Sequence, residues 1–78
     1  MEQAYKVDTH ALEIIRITKG FKTRKALADE AGINRNTYDK VVSGKILPST
    51  KVIYGLVNAL ELNPEEAASI FFATELTQ

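Results

Sequence analysis

The chain has 78 residues, no cysteine, one histidine, and ten basic residues against ten acidic ones. That length implies one small domain with a modest core, for which self-association would add stability. The composition excludes disulfides, thiolate chemistry and a His- or Cys-based metal cluster; no apolar run is long enough to span a membrane, and zero net charge argues against indiscriminate coating of nucleic acid.

Met1 to Val7 has no clear period and reads as a loose arm, from which Tyr5 and Val7 can still pack on the body. Asp8 or Thr9 caps a first helix running to about Lys19, with Ala11, Leu12, Ile14, Ile15 and Ile17 as a broad apolar stripe. Gly20 ends it. Thr23 is the expected N-cap of a second helix, Arg24 to Ala31, whose inner face is Leu27, Ala28 and Ala31. Gly32 stops that helix, because glycine accepts a left-handed backbone without a Cβ clash. Ile33 is expected to plug into the core, and Asn34 caps a third helix from about Arg35 to Ser43. At 100° per residue, Thr37, Tyr38 and Val41 share one side; Arg35, Asn36, Asp39, Lys40 and Ser43 share the other. Tyr38 is therefore expected in the core rather than stacked on a ligand, with Val42 at the border.

Gly44 to Pro48 is a loop, and Ser49 or Thr50 begins a fourth helix. Ile53, Leu56, Val57 and Leu60 follow the i, i+3, i+4, i+7 pattern of an amphipathic helix. Gly55 inside it costs roughly 1 kcal/mol relative to Ala, which close packing of a neighbouring helix would explain. Asn63-Pro64-Glu65-Glu66 is the clearest helix start: a cap, proline in the first turn, and acids at the positive end of the dipole. Glu65 and Glu66 are adjacent and point apart, so they are not a catalytic dyad. The fifth helix carries Ala67, Ile70, Phe71 and Thr74 on one face, while Phe72 and Leu76 point elsewhere or extend the stripe. Strand signals are absent. The fold class is all-α, a compact five-helix domain containing a helix-turn-helix.

Charge is unevenly distributed along this order. Lys19 to Lys51 holds eight basic residues against three acidic ones, a net of +5, whereas Val52 to the C-terminus holds four acids and no base. Such a split suits a basic face for an anionic polymer and an acidic pole turned away.

Residues 27–49, LADEAGINRNTYDKVVSGKILPS, resemble the Cro/CI-type, lambda-repressor-like helix-turn-helix family. The resemblance lies in Leu27-Ala28, Gly32 four residues after the alanine, a short polar helix from Asn34 to Ser43, then Gly44 and Pro48; the fourth-helix pattern and the junction Leu60-Glu61-Leu62-Asn63-Pro64 continue it. It covers roughly Leu12 to Ile70. Arg24 stands where the family usually has Gln, Val42 where it has an acid or amide, and Glu61 where Gly is common; Phe21 is displaced by one position.

The resemblance implies that the third helix enters the DNA major groove. Arg35, Asn36 and Lys40 are then the base readers: Arg suits guanine O6 and N7, Asn suits adenine N6 and N7, and Lys40 reads guanine or holds a phosphate. Asp39 either accepts from cytosine or holds Arg35. Thr23, Arg24, Thr37, Lys45 and Lys51 are the candidate phosphate contacts, Lys45 together with backbone amides of its loop; Thr37 can equally be a core-facing hydroxyl. The expected partner is double-stranded DNA at a palindromic operator, bound by a homodimer. Phe71, Phe72 and Leu76 are its candidate surface, with closure of the core by the fifth helix as the alternative use of those residues. No catalytic residue, cofactor or metal is expected, and His10 reads as a surface residue. The function implied is a transcription regulator, a repressor of phage or mobile-element type in a bacterial cytoplasm or phage-infected host. The alternative is a protein-interaction module or antitoxin of the same fold with reduced DNA binding.

Overall fold

The computed structural model describes residues 5–74. Five helices, α1 (Thr9–Thr18), α2 (Arg24–Ala31), α3 (Arg35–Val42), α4 (Thr50–Leu60) and α5 (Pro64–Phe71), form the all-α body. An antiparallel pair of two-residue strands, β1 (Tyr5–Lys6) and β2 (Ala73–Thr74), joins the two ends of the described chain. The arm expected over Met1–Val7 is thus held from Tyr5 onward, with Val7 packed against the core. Met1 to Ala4 and Leu76 lie outside the described residues. The absence of strand signals missed this pair, because two residues are too short to display an alternating pattern.

Each helix starts at a side-chain cap that satisfies one of its orphan N–H groups. Asp8 accepts from Ala11 N at 3.0 Å, Thr23 from Ala26 N at 3.0 Å, Asn34 from Asn36 N at 2.7 Å, and Ser49 from Val52 N at 3.3 Å. Asn63 and Glu66 make a reciprocal capping box. The Asp8 N–H also donates to Ile70 O at 2.7 Å, tying the entry of α1 to the last turn of α5.

The core is Leu12, Leu27, Ala28, Tyr38, Val41, Val52, Leu56, Leu60, Leu62, Ile70 and Phe71, with Ile33 packed against its edge. Two stripes differ from expectation. In α1, Ile14 and Ile17 face solvent at 52 % and 61 % exposure, while Arg16 is buried. The inner line of α4 is Val52, Leu56 and Leu60, with Ile53 and Val57 at its border.

Phe71 corrects the expected dimer surface. It is 2 % exposed and belongs to the core, so its ring cannot meet a partner without opening the domain. Thr74 also leaves the predicted helical face, since α5 ends at Phe71 and Thr74 lies in β2. Phe72 caps α5 and remains exposed.

Gly55 is where α2 and α4 meet. A Cβ there would collide with the Ala31 carbonyl oxygen and come within 3.4 Å of the Ala31 Cβ. The helix interior thus accepts a poor helix former so that two backbones can approach. Among the described residues, no helix is long and apolar enough to cross a membrane, and no group of His, Asp and Glu is arranged to hold a metal ion.

Candidate nucleic-acid interface

The turn between α2 and α3 sets the recognition geometry. Gly32 adopts the left-handed conformation with φ 75°, its N–H donates to Asp29 O at 3.2 Å, and Ile33 N–H donates to Ala28 O at 2.9 Å. The last carbonyls of α2 are thereby satisfied, and the chain turns at once into the Asn34 cap of α3.

α3 separates its two faces by chemistry. Tyr38 and Val41 are fully buried or nearly so; Arg35, Asn36 and Lys40 are exposed. Thr37, Asp39 and Val42 lie half-buried along the border. The Asn36 side chain is left available, because its cap bond uses only its backbone N–H. A shallow open groove beside these readers is lined by Lys25, Asp29, Ile33, Asn34, Arg35 and Asn36.

The candidate phosphate contacts are unevenly placed. Lys45 and Lys51 are exposed, in the loop after α3 and in the first turn of α4. Thr23 is exposed, and its hydroxyl oxygen already caps α2. The amides expected to help Lys45 are occupied: Gly44 N–H donates to Val41 O, and both Lys45 and Ile46 N–H donate to Lys40 O. That loop therefore offers its lysine ammonium, with those three N–H groups folded back onto α3.

Arg24 has a different environment from the one its sequence position suggests. Its Nε donates to Glu13 Oε1 at 3.2 Å and its Nη1 to Asp39 Oδ1 at 3.3 Å. These two bonds link α2 to α1 and α3. A guanidinium has five N–H donors, so the remainder stay free for an anion. Asp39 also faces Arg35, with Oδ2 at 3.6 Å from Nε.

Glu13 is the residue that sequence reasoning missed. Its carboxylate accepts from Arg16 Nε and Nη2, both at 3.2 Å, from Arg24 Nε, and from the Tyr38 hydroxyl at 2.6 Å. Arg16 Nη1 donates to the Phe21 carbonyl at 2.7 Å, which accounts for a guanidinium inside the domain. Partial burial pushes the Glu13 carboxyl up, but the hydrogen bonds from Arg16, Tyr38 and Arg24 outweigh it and hold the group below its ordinary value. Burial, then the bond to Glu13, pushes the Tyr38 phenol up. The sequence signal was present in α1: Arg16 lies one turn after Leu12 on the inward side and three residues after Glu13.

A family model described as helix-turn-helix matches residues 13–66 of this chain. Comparison with curated proteins and with solved structures finds no match.

Proposed function

The chain belongs to the Cro/CI-type, lambda-repressor-like helix-turn-helix family, and from that premise we propose that it is a sequence-specific repressor that inserts α3 into the major groove of an operator. Membership makes it a DNA-binding regulator of this type, in a family not typically enzymatic. The observation that carries the finer reading is the split of α3. Tyr38 and Val41 lock one face into the core, which leaves Arg35, Asn36 and Lys40 on a rigid outward row. Arg35 and Asn36 supply bidentate chemistry for guanine and adenine, and Lys40 reads guanine or reaches a phosphate. Thr23, Arg24, Thr37, Lys45 and Lys51 are the proposed phosphate contacts, which set register without reading sequence.

The full chain acts as one DNA-binding unit in this proposal, in the cytoplasm of a bacterium or a phage-infected host. One recognition helix covers few base pairs, so a homodimer on a palindrome is part of it. Of the residues expected at that contact, Phe72 is 45 % exposed. A second reading, a protein-interaction module or antitoxin, is favoured by the zero net charge and by the carboxylate of Asp39 beside the readers.

Selection from random double-stranded DNA, followed by titration at several salt concentrations, tests the proposal. A repressor enriches a palindrome and binds it less tightly as salt rises. Asn36→Ala then erases preference at its base pair, whereas Lys45→Ala weakens all DNA alike. If no site is enriched and neither variant changes DNA binding, α3 is not a groove helix and the interaction-module reading stands.

A further inference from the structure

We propose that Asp39 is a positioning residue for base readout: it fixes the Arg35 guanidinium for a guanine, and is itself fixed through Arg24 from inside the domain. This inference rests on the DNA-binding reading and goes beyond it by assigning a specificity role to a residue that would touch no base.

Asp39 is the only acid in α3. Its two oxygens serve two arginines from different helices: Oδ1 takes Arg24 Nη1 at 3.3 Å, and Oδ2 faces Arg35 Nε at 3.6 Å one turn back along α3. Arg24 is held at its other edge by Glu13, which is anchored in turn by Arg16 and by the Tyr38 hydroxyl. A continuous line of charge-assisted contacts therefore runs from the buried side of α1 to an exposed side chain on α3.

An isolated exposed i, i+4 pair would order Arg35 poorly, because such pairs contribute little and a long side chain resists ordering. Here the carboxylate is itself fixed by a second arginine, so the cation meets an oriented acceptor. The engagement is also at the useful end. With Nε turned to Asp39, the two terminal Nη groups remain as the parallel donor pair that matches guanine O6 and N7. The carboxylate has a second consequence. It places negative charge beside the readers, where it repels phosphates that approach out of register, so sequence preference gains from a repulsive element as well as an attractive one.

The experiment uses the full chain, its selected operator, and operators changed at each base pair in turn. The variants are Asp39→Asn, Arg35→Ala and the double variant. Wild type is expected to select a guanine at one base pair per half-site that Arg35→Ala no longer distinguishes. Asp39→Asn is expected to reduce that same preference by about tenfold, with the other positions retaining theirs. Its binding to non-operator DNA should rise severalfold at low salt, and the double variant should lose no more guanine preference than Arg35→Ala alone. Asp39→Glu, which keeps the charge, should recover part of the preference. A thermal midpoint unchanged by Asp39→Asn separates positioning from folding. The inference is overturned if Asp39→Asn keeps its guanine preference within about twofold, if it loses preference evenly at every base pair, or if the selected site has no guanine that depends on Arg35. If wild type enriches no site, the DNA-binding reading fails and this inference falls with it; an enriched site whose guanine preference survives Asp39→Asn sinks the inference alone.

Discussion

Beyond the burial of Leu27 and Ala28, α2 meets its neighbours through two contacts of opposite chemistry. Against α4 it presents bare backbone: the Ala31 carbonyl lies where a Gly55 Cβ would stand. Against α1 and α3 it presents Arg24, held between the carboxylates of Glu13 and Asp39. The first contact fixes a distance and tolerates almost no change, because close-packed backbone cannot yield by a side-chain rotation. The second fixes orientation through directional bonds and can be exchanged without moving a helix. One seats the recognition unit and the other aims it, so the exposed end of the polar line, at Asp39, should change DNA preference without changing stability.

The largest effect is expected on the apolar side. Helix propensity alone would make Gly55→Ala stabilising by about 1 kcal/mol. The collision with Ala31 works in the opposite direction, and overpacking against backbone costs more, so a net loss of about 2–3 kcal/mol is expected. Urea unfolding followed by helical circular dichroism measures this directly; a gain in stability would show that the helices can separate freely. On the polar side, Glu13→Ala leaves the buried Arg16 guanidinium with only the Phe21 carbonyl as a partner, for a loss of about 2 kcal/mol. Adding Arg16→Met should restore part of it, because the stranded charge is then gone. If the two losses simply add, the pair is not coupled.

How far this comparison was legible in the sequence follows from the range of each contact. The caps at Thr23, Asn34 and Asn63, the stop at Gly32 and the inward phase of Tyr38 are local, and the structure has them as read. Gly55 was legible as an anomaly whose cause needed a neighbour. α1 was misread because five apolar residues cover most of its circumference, so periodicity could not say which isoleucines face out. Arg16 turns inward because its partners include Phe21, beyond the end of the helix. The readers of α3 were visible as an exposed row. Of their electrostatic setting only the Arg35–Asp39 pair, one helical turn apart, was near enough to read; the rest was not, since Glu13 lies 11 residues from Arg24 and 25 from Tyr38, and Arg24 lies 15 from Asp39.

A smaller effect separates the two ends of the Glu13–Tyr38 bond. Tyr38→Phe keeps the buried ring and removes one donor to a carboxylate, so a loss of about 1.5 kcal/mol is expected. The bond also predicts a pH profile. Glu13 is held below its ordinary value of 4.5, so its contribution is complete above that pH and disappears as pH falls through the lowered value. Tyr38 is raised above 10.0, so its contribution is complete below that pH and is lost as pH rises beyond it. Denaturant titrations across pH should show both limbs, with the alkaline one reduced in Tyr38→Phe and the acid one reduced in Glu13→Gln. A flat alkaline limb in wild type would place the hydroxyl in water instead.

The smallest effect tests whether seating and aiming are separable. Glu61 ends α4 in the left-handed conformation, with φ 55° and ψ 48°, the one such non-glycine among the described residues. That backbone is imposed on both sides: Glu61 N–H bonds Asn58 O, and Leu62 N–H bonds Val57 O while its side chain enters the core. The left-handed region costs an L-residue about 1 kcal/mol or more, and glycine occupies it freely. Glycine also gains more freedom in the unfolded chain, which offsets part of the benefit by about 0.5 kcal/mol. Glu61→Gly should therefore stabilise by about 0.5–1 kcal/mol, a rise of a few degrees in thermal midpoint for a domain of this size. It acts at the end of the helix that seats α2 and is far in sequence from the Glu13–Arg24–Asp39 line. Stability should rise while base preference at every operator position stays as in wild type. If the guanine preference of Arg35 sharpens or fades along with the midpoint, the two contacts of α2 are coupled, and orientation at α3 is set by the stability of the whole seat rather than by Asp39.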